Sequence, residues 1–178
     1  MGSIRSGLFI SLDGVTEAPD KWHFGYFNEE MGNAVGSLMA GNDAMLLGRR
    51  TYDEFAGYWP NADATDPMTK QMNDTPKYVV SNTLTRADWA NSTVLGGEDV
   101  YDQLRALKAE RNLGTTGSAT LVRSLLEQGL VDELHLLVHP VVLGAGQRVF
   151  DGSAKVPLKL ISSTTFSTGV LHLVYGNE

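Results

Sequence analysis

The chain has 178 residues and no cysteine, and its 42% hydrophobic and 20% charged residues are ordinary for a globular protein. The missing cysteines exclude disulfides and thiol chemistry, and the net charge of -7 without any basic stripe predicts no nucleic-acid partner. The sequence has no run of about 18 apolar residues, so it predicts no membrane span. No secretory leader opens the chain, and we therefore expect one cytoplasmic domain over residues 1–178.

Hydrophobic spacing predicts strands that alternate with helices over the first two thirds of the chain. The predicted strands cover, in chain order, 4–12, 43–48, 77–81, a short piece near 94, and 111–116. The predicted helices cover 28–41, 49–59, 98–110 and 119–128, with one further helical turn at 68–72. Thr51 and Glu54 have the spacing of a capping box, and Gly129 is placed to end the last of these helices.

The last third of the chain predicts three more strands. A long apolar strand covers 132–144, and a closing hairpin joins 158–166 to 170–176. Strands that alternate with helices pair in parallel, whereas hairpin strands are antiparallel. The sequence therefore predicts an α/β fold, with a mixed, mainly parallel sheet of about eight strands, helices on both faces and a C-terminal antiparallel hairpin.

Three polar loops follow the ends of three predicted strands: GRRT at 48–51, SNT at 81–83 and TGSAT at 116–120. Ligands of open α/β sheets bind at the carboxyl ends of strands, and helix starts offer free backbone N–H groups to anions. The loops together predict a site for a ligand with several phosphates. Each loop alone also fits an ordinary turn, and Arg49 and Arg50 also fit a solvated helix start, although positive charge there opposes the helix dipole.

Two carboxylates and an aromatic loop extend this candidate site. Asp13 ends the first strand, where it fits either an Asp-Gly turn or a proton donor or anchor beside a reacting atom. Glu30 fits either a partner of the helix dipole or a second acid. Trp22 and Phe24 fit either a cover over a planar ligand or a lid packed on the core. The histidines lack metal-ligand spacing, so no metal site is expected.

The order of these motifs resembles a known family. SLDG, LLGRRTYDEF, YVVSNTL and the long stretch from TGSATLVRSLLEQG to VHPVVLGAGQRVF are similar to the reductase domain of bacterial riboflavin-biosynthesis deaminase-reductases. They are more similar still to free-standing dihydrofolate-reductase-like proteins. The resemblance runs over about 4–176 and implies a dihydrofolate-reductase-like fold that binds NADPH. It also implies a homodimer, with which the long apolar segment 134–142 is compatible as a sheet edge.

The resemblance assigns roles to the matched residues. By this resemblance, four residues lie near the cofactor phosphates: Gly48, Arg49, Arg50 and Thr51. Two residues lie near the adenosine ribose and its 2′-phosphate: Ser81 and Asn82. Five residues surround the pyrophosphate: Thr116, Gly117, Ser118, Ala119 and Thr120. Asp13 matches the aspartate of the family's S-x-D-G motif beside nicotinamide and substrate, and Glu30 matches the helix acid of folate reductases roughly.

The sequence and the resemblance together predict an NADPH-dependent reductase. It would transfer a hydride to a small heterocyclic molecule, pterin-like or pyrimidine-like, with Asp13 delivering the proton and Glu30 in reserve. One alternative is an NADP(H)-binding module without catalytic activity. The other is a reductase of the ribosylaminopyrimidine phosphate of riboflavin biosynthesis.

Overall fold

A computed structural model describes residues 2–178, and among them eight strands form one sheet. The strands are β1 (Ile4–Ser11), β2 (Ala44–Gly48), β3 (Lys77–Val80), β4 (Ser92–Leu95), β5 (Leu113–Thr115), β6 (Glu133–His139), β7 (Leu158–Thr165) and β8 (Leu171–Asn177). The helices are α1 (Glu29–Ala40), α2 (Arg49–Tyr58), α3 (Pro67–Asp74), α4 (Val100–Glu110) and α5 (Ala119–Glu127). None of the helices within residues 2–178 has the length and apolar character that crossing a membrane requires.

The strand order in the sheet is β4-β3-β2-β5-β1-β6-β8-β7. The first six strands run parallel, and β8 and β7 add an antiparallel pair beside β6. This arrangement confirms the predicted mixed, mainly parallel sheet with its C-terminal hairpin. It also sets the carboxyl ends of β3, β2, β5 and β1 side by side, which places the loops after these strands along one edge.

Different helices pack on the two faces of the sheet. Helices α4 and α5 pack on the face that carries Ile4 and Leu46, through Leu104 and Leu125. Helices α2 and α3 pack on the opposite face through the buried residues Leu47, Tyr52 and Met72. Helix α1 covers that same face beside β6 through Met31, which contacts Leu137. Helices on both faces are thus confirmed.

Two local predictions differ from the structure. Helix α3 is longer than the single predicted turn, because Asp66 caps it by accepting the N–H of Met68 at 3.1 Å and Pro67 occupies its first position. The capping box predicted at Thr51 is wrong. Gly48 is the N-cap of α2, and Thr51 lies inside the first turn of that helix.

The predicted sheet edge at 134–142 is also wrong. Strand β6 ends at His139, just before Pro140, and lies between β1 and β8 in the middle of the sheet. The sheet instead ends at β4 and β7, because the closing hairpin adds its two strands beside β6. Strand β7 is eight residues long, and seven of them are exposed, including Leu160 and Ile161.

Candidate functional site

The GRRT and TGSAT loops touch each other because β2 and β5 are neighbours in the sheet. The N–H of Gly48 donates to the carbonyl oxygen of Gly117 at 3.1 Å. A Cβ on Gly48 would collide with the Ser118 side chain and lie 2.8 Å from the Ser118 backbone nitrogen. Gly117 has φ +148° and precedes a cis peptide bond, and a Cβ there would lie 2.8 Å from Oγ1 of Thr51. Glycine at both positions therefore permits this close approach.

Two helices, α2 and α5, begin at this contact. Among the residues that the structure describes, no side chain caps α2 at Gly48. At α5 the Ser118 hydroxyl accepts the N–H of Leu121 at 3.3 Å. The positive ends of both helix dipoles thus lie beside the contact between the two loops, which is an arrangement suited to an anion.

A groove of about 560 Å³ opens between these helix starts. Its lining residues come from α2, β3, α4 and the start of α5: Gly48, Arg49, Arg50, Asp53, Glu54, Val80, Tyr101, Ser118, Thr120, Leu121 and Ser124. Two of the residues predicted to bind phosphate, Arg49 and Arg50, therefore lie at the groove, together with Gly48, Ser118 and Thr120. Ala119 is buried at the first turn of α5.

The two arginines are already paired with carboxylates. Nε of Arg49 donates to both carboxylate oxygens of Asp53, at 2.9 and 2.8 Å. Arg50 contacts Glu54 at 3.3 Å and Glu17, in the loop after β1, at 3.0 Å. The N–H of Gln147, and then the pair with Arg50, hold the pKa of the Glu17 carboxyl below its usual value. All these pairs are exposed, so each contributes little to stability.

Ser81 and Asn82 follow β3 at the same edge, but their side chains hold the local turn. The Ser81 hydroxyl accepts the N–H groups of Thr83 and Leu84, at 3.2 and 3.0 Å. Oδ1 of Asn82 accepts the N–H of Gly97 at 2.9 Å. The contacts within residues 2–178 thus account for both side chains as turn formers, and their predicted place beside the ribose stays a prediction.

A second cavity, of about 290 Å³, lies on the face covered by α1, α2 and α3. It is lined mainly by apolar side chains from three helices and three strands, among them Phe9, Val35, Leu38, Met39, Met45, Leu47, Phe55, Trp59, Met68, Met72 and Leu137. Thr116 also lines it, only two residues before Ser118 in the groove. The turn 116–118 therefore contributes one lining residue to the groove and one to the cavity.

Sequence spacing identified the apolar stripe of α1 but not the cavity. Of that stripe only Met31 is buried, whereas Val35, Leu38 and Met39 are half-buried and face the cavity. Helical spacing marks a face that contacts apolar surroundings, and a packed core and an open cavity give the same pattern. Nothing in the sequence indicated that Phe55, on α2, or Trp59, in the turn after it, would line the cavity.

Asp13 joins the end of β1 to the distant loop at 140–148. Its carboxylate accepts hydrogen bonds from the Ser11 hydroxyl at 2.7 Å, from the N–H groups of Leu143 and Gly144 at 3.1 and 2.9 Å, and from Arg148 at 3.3 Å. The Ser11 hydroxyl and then the two backbone N–H groups hold the pKa of this carboxyl far below its usual value. Asp13 is thus a fixed anion that lines neither the groove nor the cavity.

Glu30 makes a similar junction at the start of α1. Its Oε2 accepts from the hydroxyl and the N–H of Ser167, both at 2.7 Å, and from the Asn28 amide at 2.7 Å. The hydroxyl and N–H of Ser167, and then Asn28, lower the pKa of Glu30. The carboxylate thereby ties the start of α1 to the turn between β7 and β8.

The aromatic loop packs at the carboxyl end of β1 without lining either opening. The Trp22 indole donates to the carbonyl of Glu17 at 3.0 Å and meets the His139 ring edge-on at 5.1 Å. Phe24 is 67% exposed. The ring of Phe9, which does line the cavity, stacks on His23 of this loop at 4.4 Å. The predicted contact of Trp22 and Phe24 with substrate stays a prediction.

Comparisons with known proteins agree with this architecture. Uncharacterized protein YyaP of Bacillus subtilis (strain 168) is 32% identical over 139 residues, which cover 75% of this chain and 73% of that protein. The crystal structure of a putative riboflavin biosynthesis protein from Shewanella sp. PV-4 superposes with a TM-score of 0.79 and 21% identity, covering 100% of this chain and 99% of that one.

Dihydrofolate reductase from Enterococcus faecalis, solved in a complex with NADP(H), superposes with a TM-score of 0.61 and 12% identity over 98% of this chain and 94% of that one. This likeness confirms the predicted dihydrofolate-reductase-like fold. The family model of the RibD C-terminal domain matches residues 3–172, which is almost the whole chain. The chain therefore belongs to the RibD C-terminal domain family, a family of reductase domains, which makes it an oxidoreductase by family.

Proposed function

We propose that this chain is an NADPH-dependent reductase, a single domain that passes a hydride to a small planar heterocycle of pterin-like or pyrimidine-like shape. The observation that carries the proposal is that one turn, 116–118, lines two openings of different chemistry. A groove with two helix starts and two arginines suits a dinucleotide, and an apolar cavity suits a planar ring. Thr116 and Ser118, on either side of Gly117, would bring the two ligands into contact.

In this proposal the groove residues hold the cofactor, which supplies the hydride. The free N–H groups at the starts of α2 and α5 would bind the pyrophosphate. Arg49 and Arg50 would release their exposed carboxylate partners and bind the 2′-phosphate, since a phosphate carries more charge than a carboxylate and exposed ion pairs are weak. Ser81 and Asn82 would border the ribose from the next loop.

The roles of Asp13 and Glu30 as proton donors stay predictions, and their contacts favour another role. Both carboxylates accept at least three hydrogen bonds, which stabilise the ionised form. An ionised carboxylate has no proton to donate near neutral pH. We therefore propose that Asp13 orders the loop at 140–148 beside the site and that the proton reaches the product from solvent.

Turnover by Asp13→Asn tests the proposal and this role together. NADPH oxidation would be followed at 340 nm with a panel of oxidised pterins, pyrimidines and aromatic carbonyl compounds. If Asp13 orders the loop, the variant should keep NADPH binding and lose less than about tenfold in kcat, while its melting temperature falls because Ser11 and Arg148 lose a charged partner. A loss in kcat above about a hundredfold at unchanged melting temperature would identify Asp13 as the proton donor.

A second candidate function, an NADP(H)-binding module without turnover, is favoured by the same contacts, since both predicted acids already serve as structural junctions. Tight NADPH binding together with no oxidation by any member of the panel would support this module over the reductase. The third candidate, reduction of a ribosylaminopyrimidine phosphate, requires a second anion site apart from the groove.

The proposal includes a homodimer formed at β7 rather than at the segment 134–142. Strand β7 has a free edge over eight residues and exposes Leu160 by 50% and Ile161 by 57%. An exposed apolar edge of this length favours pairing with another strand. A second copy of the same strand, related by a twofold axis, would cover it.

A further inference from the structure

The groove at the starts of α2 and α5 is lined by negative as well as positive side chains. Its lining includes two arginines, Arg49 and Arg50, and two carboxylates, Asp53 and Glu54. The formal charges of these four side chains cancel near neutral pH. A site that only had to hold phosphates would gain nothing from carboxylates, because like charges at close range repel each other. The two acids therefore have another effect on the groove.

The stability of α2 does not account for the two acids. Both arginines lie in the first turn of the helix, which contains no acidic residue, and both acids lie one turn later. A helix favours the opposite order, with acids at its positive N-terminal end, and pairs four residues apart are weaker in the direction seen here. All four side chains are also exposed, so their ion pairs add little to folding.

Arg49 has one carboxylate partner, whereas Arg50 has two. The Nε of Arg49 donates to both carboxylate oxygens of Asp53, at 2.9 and 2.8 Å, and residues 2–178 offer it no other ion pair. Arg50 contacts Glu54 at 3.3 Å and Glu17 at 3.0 Å. Loss of Glu54 would thus leave Arg50 paired with Glu17, whereas loss of Asp53 would leave Arg49 without a counter-charge.

We propose that Asp53 is a specificity-determining residue of the groove, which opposes the binding of a phosphate at Arg49. The inference rests on the proposed function, because it concerns the arginine that would bind the 2′-phosphate. An incoming phosphate has to take Arg49 from Asp53. Residues four apart on a helix are neighbours, so Asp53 then stays beside the bound phosphate and repels it.

The exposure of Asp53 limits the size of this effect. Water and salt screen charges at the surface, so we expect Asp53 to change the affinity severalfold rather than by orders of magnitude. A ligand without the 2′-phosphate brings no charge to Arg49, and its affinity should not depend on Asp53. Asp53 thus narrows the preference for NADPH over NADH that Arg49 creates.

Two nucleotides that differ in the 2′-phosphate test the role of Asp53 without turnover. Calorimetry would compare adenosine 2′,5′-bisphosphate with adenosine 5′-monophosphate on the native chain and on Asp53→Asn. The variant should bind the bisphosphate at least about threefold more tightly than the native chain does, and the monophosphate within about 1.5-fold of the native affinity. Unchanged binding of the bisphosphate would overturn the inference, and weaker binding would overturn it by showing that Asp53 orients Arg49 for the phosphate.

A double-mutant cycle distinguishes an effect at Arg49 from a general change of charge. In an Arg49→Ala background, Asp53→Asn should change the affinity for the bisphosphate by less than about 1.5-fold, since no arginine then holds the phosphate beside Asp53. An undiminished gain in that background would contradict the proposed competition. Asp88→Asn is the matched control, because it removes an exposed acid paired with Arg86, and it should keep the native affinity.

Titration with NADPH separates the role of Asp53 from the reductase proposal. If NADPH binds the native chain but Asp53→Asn gains no affinity for NADPH or for the bisphosphate, the role of Asp53 alone is refuted. If the bisphosphate binds and gains from Asp53→Asn while neither NADPH nor NADH binds, the cofactor proposal alone is refuted. Failure of both proteins to bind the bisphosphate at about 5 mM would overturn the inference.

Discussion

Gly48→Ala should weaken NADPH binding at least about a hundredfold, which corresponds to about 3 kcal/mol. The added methyl group would collide with the Ser118 side chain and come within 2.8 Å of its backbone nitrogen. The side chain of Ser118 can turn away, but its backbone is part of the turn into α5. The loops at 48–51 and 116–120 would then separate, and the two helix starts would no longer converge on one phosphate group.

Gly57→Ala provides the matched control, because Gly57 lies in the same helix α2 and a Cβ there would meet no heavy atom within 4 Å. This variant should keep the native affinity for NADPH. Its free energy of unfolding in urea should rise by about 0.5–1 kcal/mol, since alanine favours a helix over glycine. Native NADPH affinity in Gly48→Ala, measured by calorimetry, would refute the assignment of the two loops to one cofactor site.

Removing Lys77 should change the pH dependence of stability. Lys77 is fully buried, and its Nζ donates to the carbonyls of Asn73 and Ala90, at 2.8 and 3.0 Å, and lies 4.1 Å from the centre of the Trp89 ring. Burial lowers the pKa of Lys77 to about 8, although the nearby Asp74 opposes the shift. Between this value and the ordinary pKa near 10.5, the unfolded chain holds a proton that the folded chain has lost.

Stability must therefore rise with pH across this window, because it rises wherever the unfolded state binds more protons. The contribution of neutral Lys77 to the free energy of unfolding is fully present above the pKa that Lys77 has in the unfolded chain. It is lost as the pH falls through the pKa that Lys77 has in the folded chain. We expect the free energy of unfolding of the native chain, relative to Lys77→Met, to increase by about 2 kcal/mol between about pH 7 and pH 10. Urea unfolding at several pH values measures this difference.

Lys155→Met is the control for this comparison, because Lys155 is an exposed lysine in the loop before β7. It should follow the pH dependence of the native chain. The same pH dependence in the native chain and in Lys77→Met would show that Lys77 does not titrate in this window, and would contradict the account of its burial. A lower stability of Lys77→Met at every pH would not affect the test, which uses the slope alone.

The loops of the candidate site were predictable because their residues are local signals. Gly48, Gly117 and Ser118 mark strand-to-helix turns, and the alternation of elements places such turns at one edge of a parallel sheet. The contact between the loops was harder to predict from the sequence, since it requires β5 to insert between β2 and β1. That strand order follows from packing of the whole sheet rather than from any short stretch of sequence.

Long-range partners account for what the sequence did not reveal. Asp13 and Glu30 were predicted as acids beside a site. Their hydrogen-bond donors come from more than 120 residues away in the chain: Leu143 and Gly144 for Asp13, and Ser167 for Glu30. The apolar cavity was missed for the related reason that its walls come from separate helices and strands. The sheet edge was predicted wrongly for the same reason. The closing hairpin pairs with β6, so the edge of the sheet is β7.

The central claim, a groove for NADPH at the starts of α2 and α5, is tested most directly by titrating the native chain with NADPH and NADH. Nicotinamide fluorescence or calorimetry measures both affinities, with Arg49→Ala as the variant and Arg86→Ala as an exposed control. We predict micromolar binding of NADPH, at least about tenfold weaker binding of NADH, and loss of that difference in Arg49→Ala alone, because Arg49 would bind the 2′-phosphate. Failure of the native chain to bind either cofactor would contradict the account.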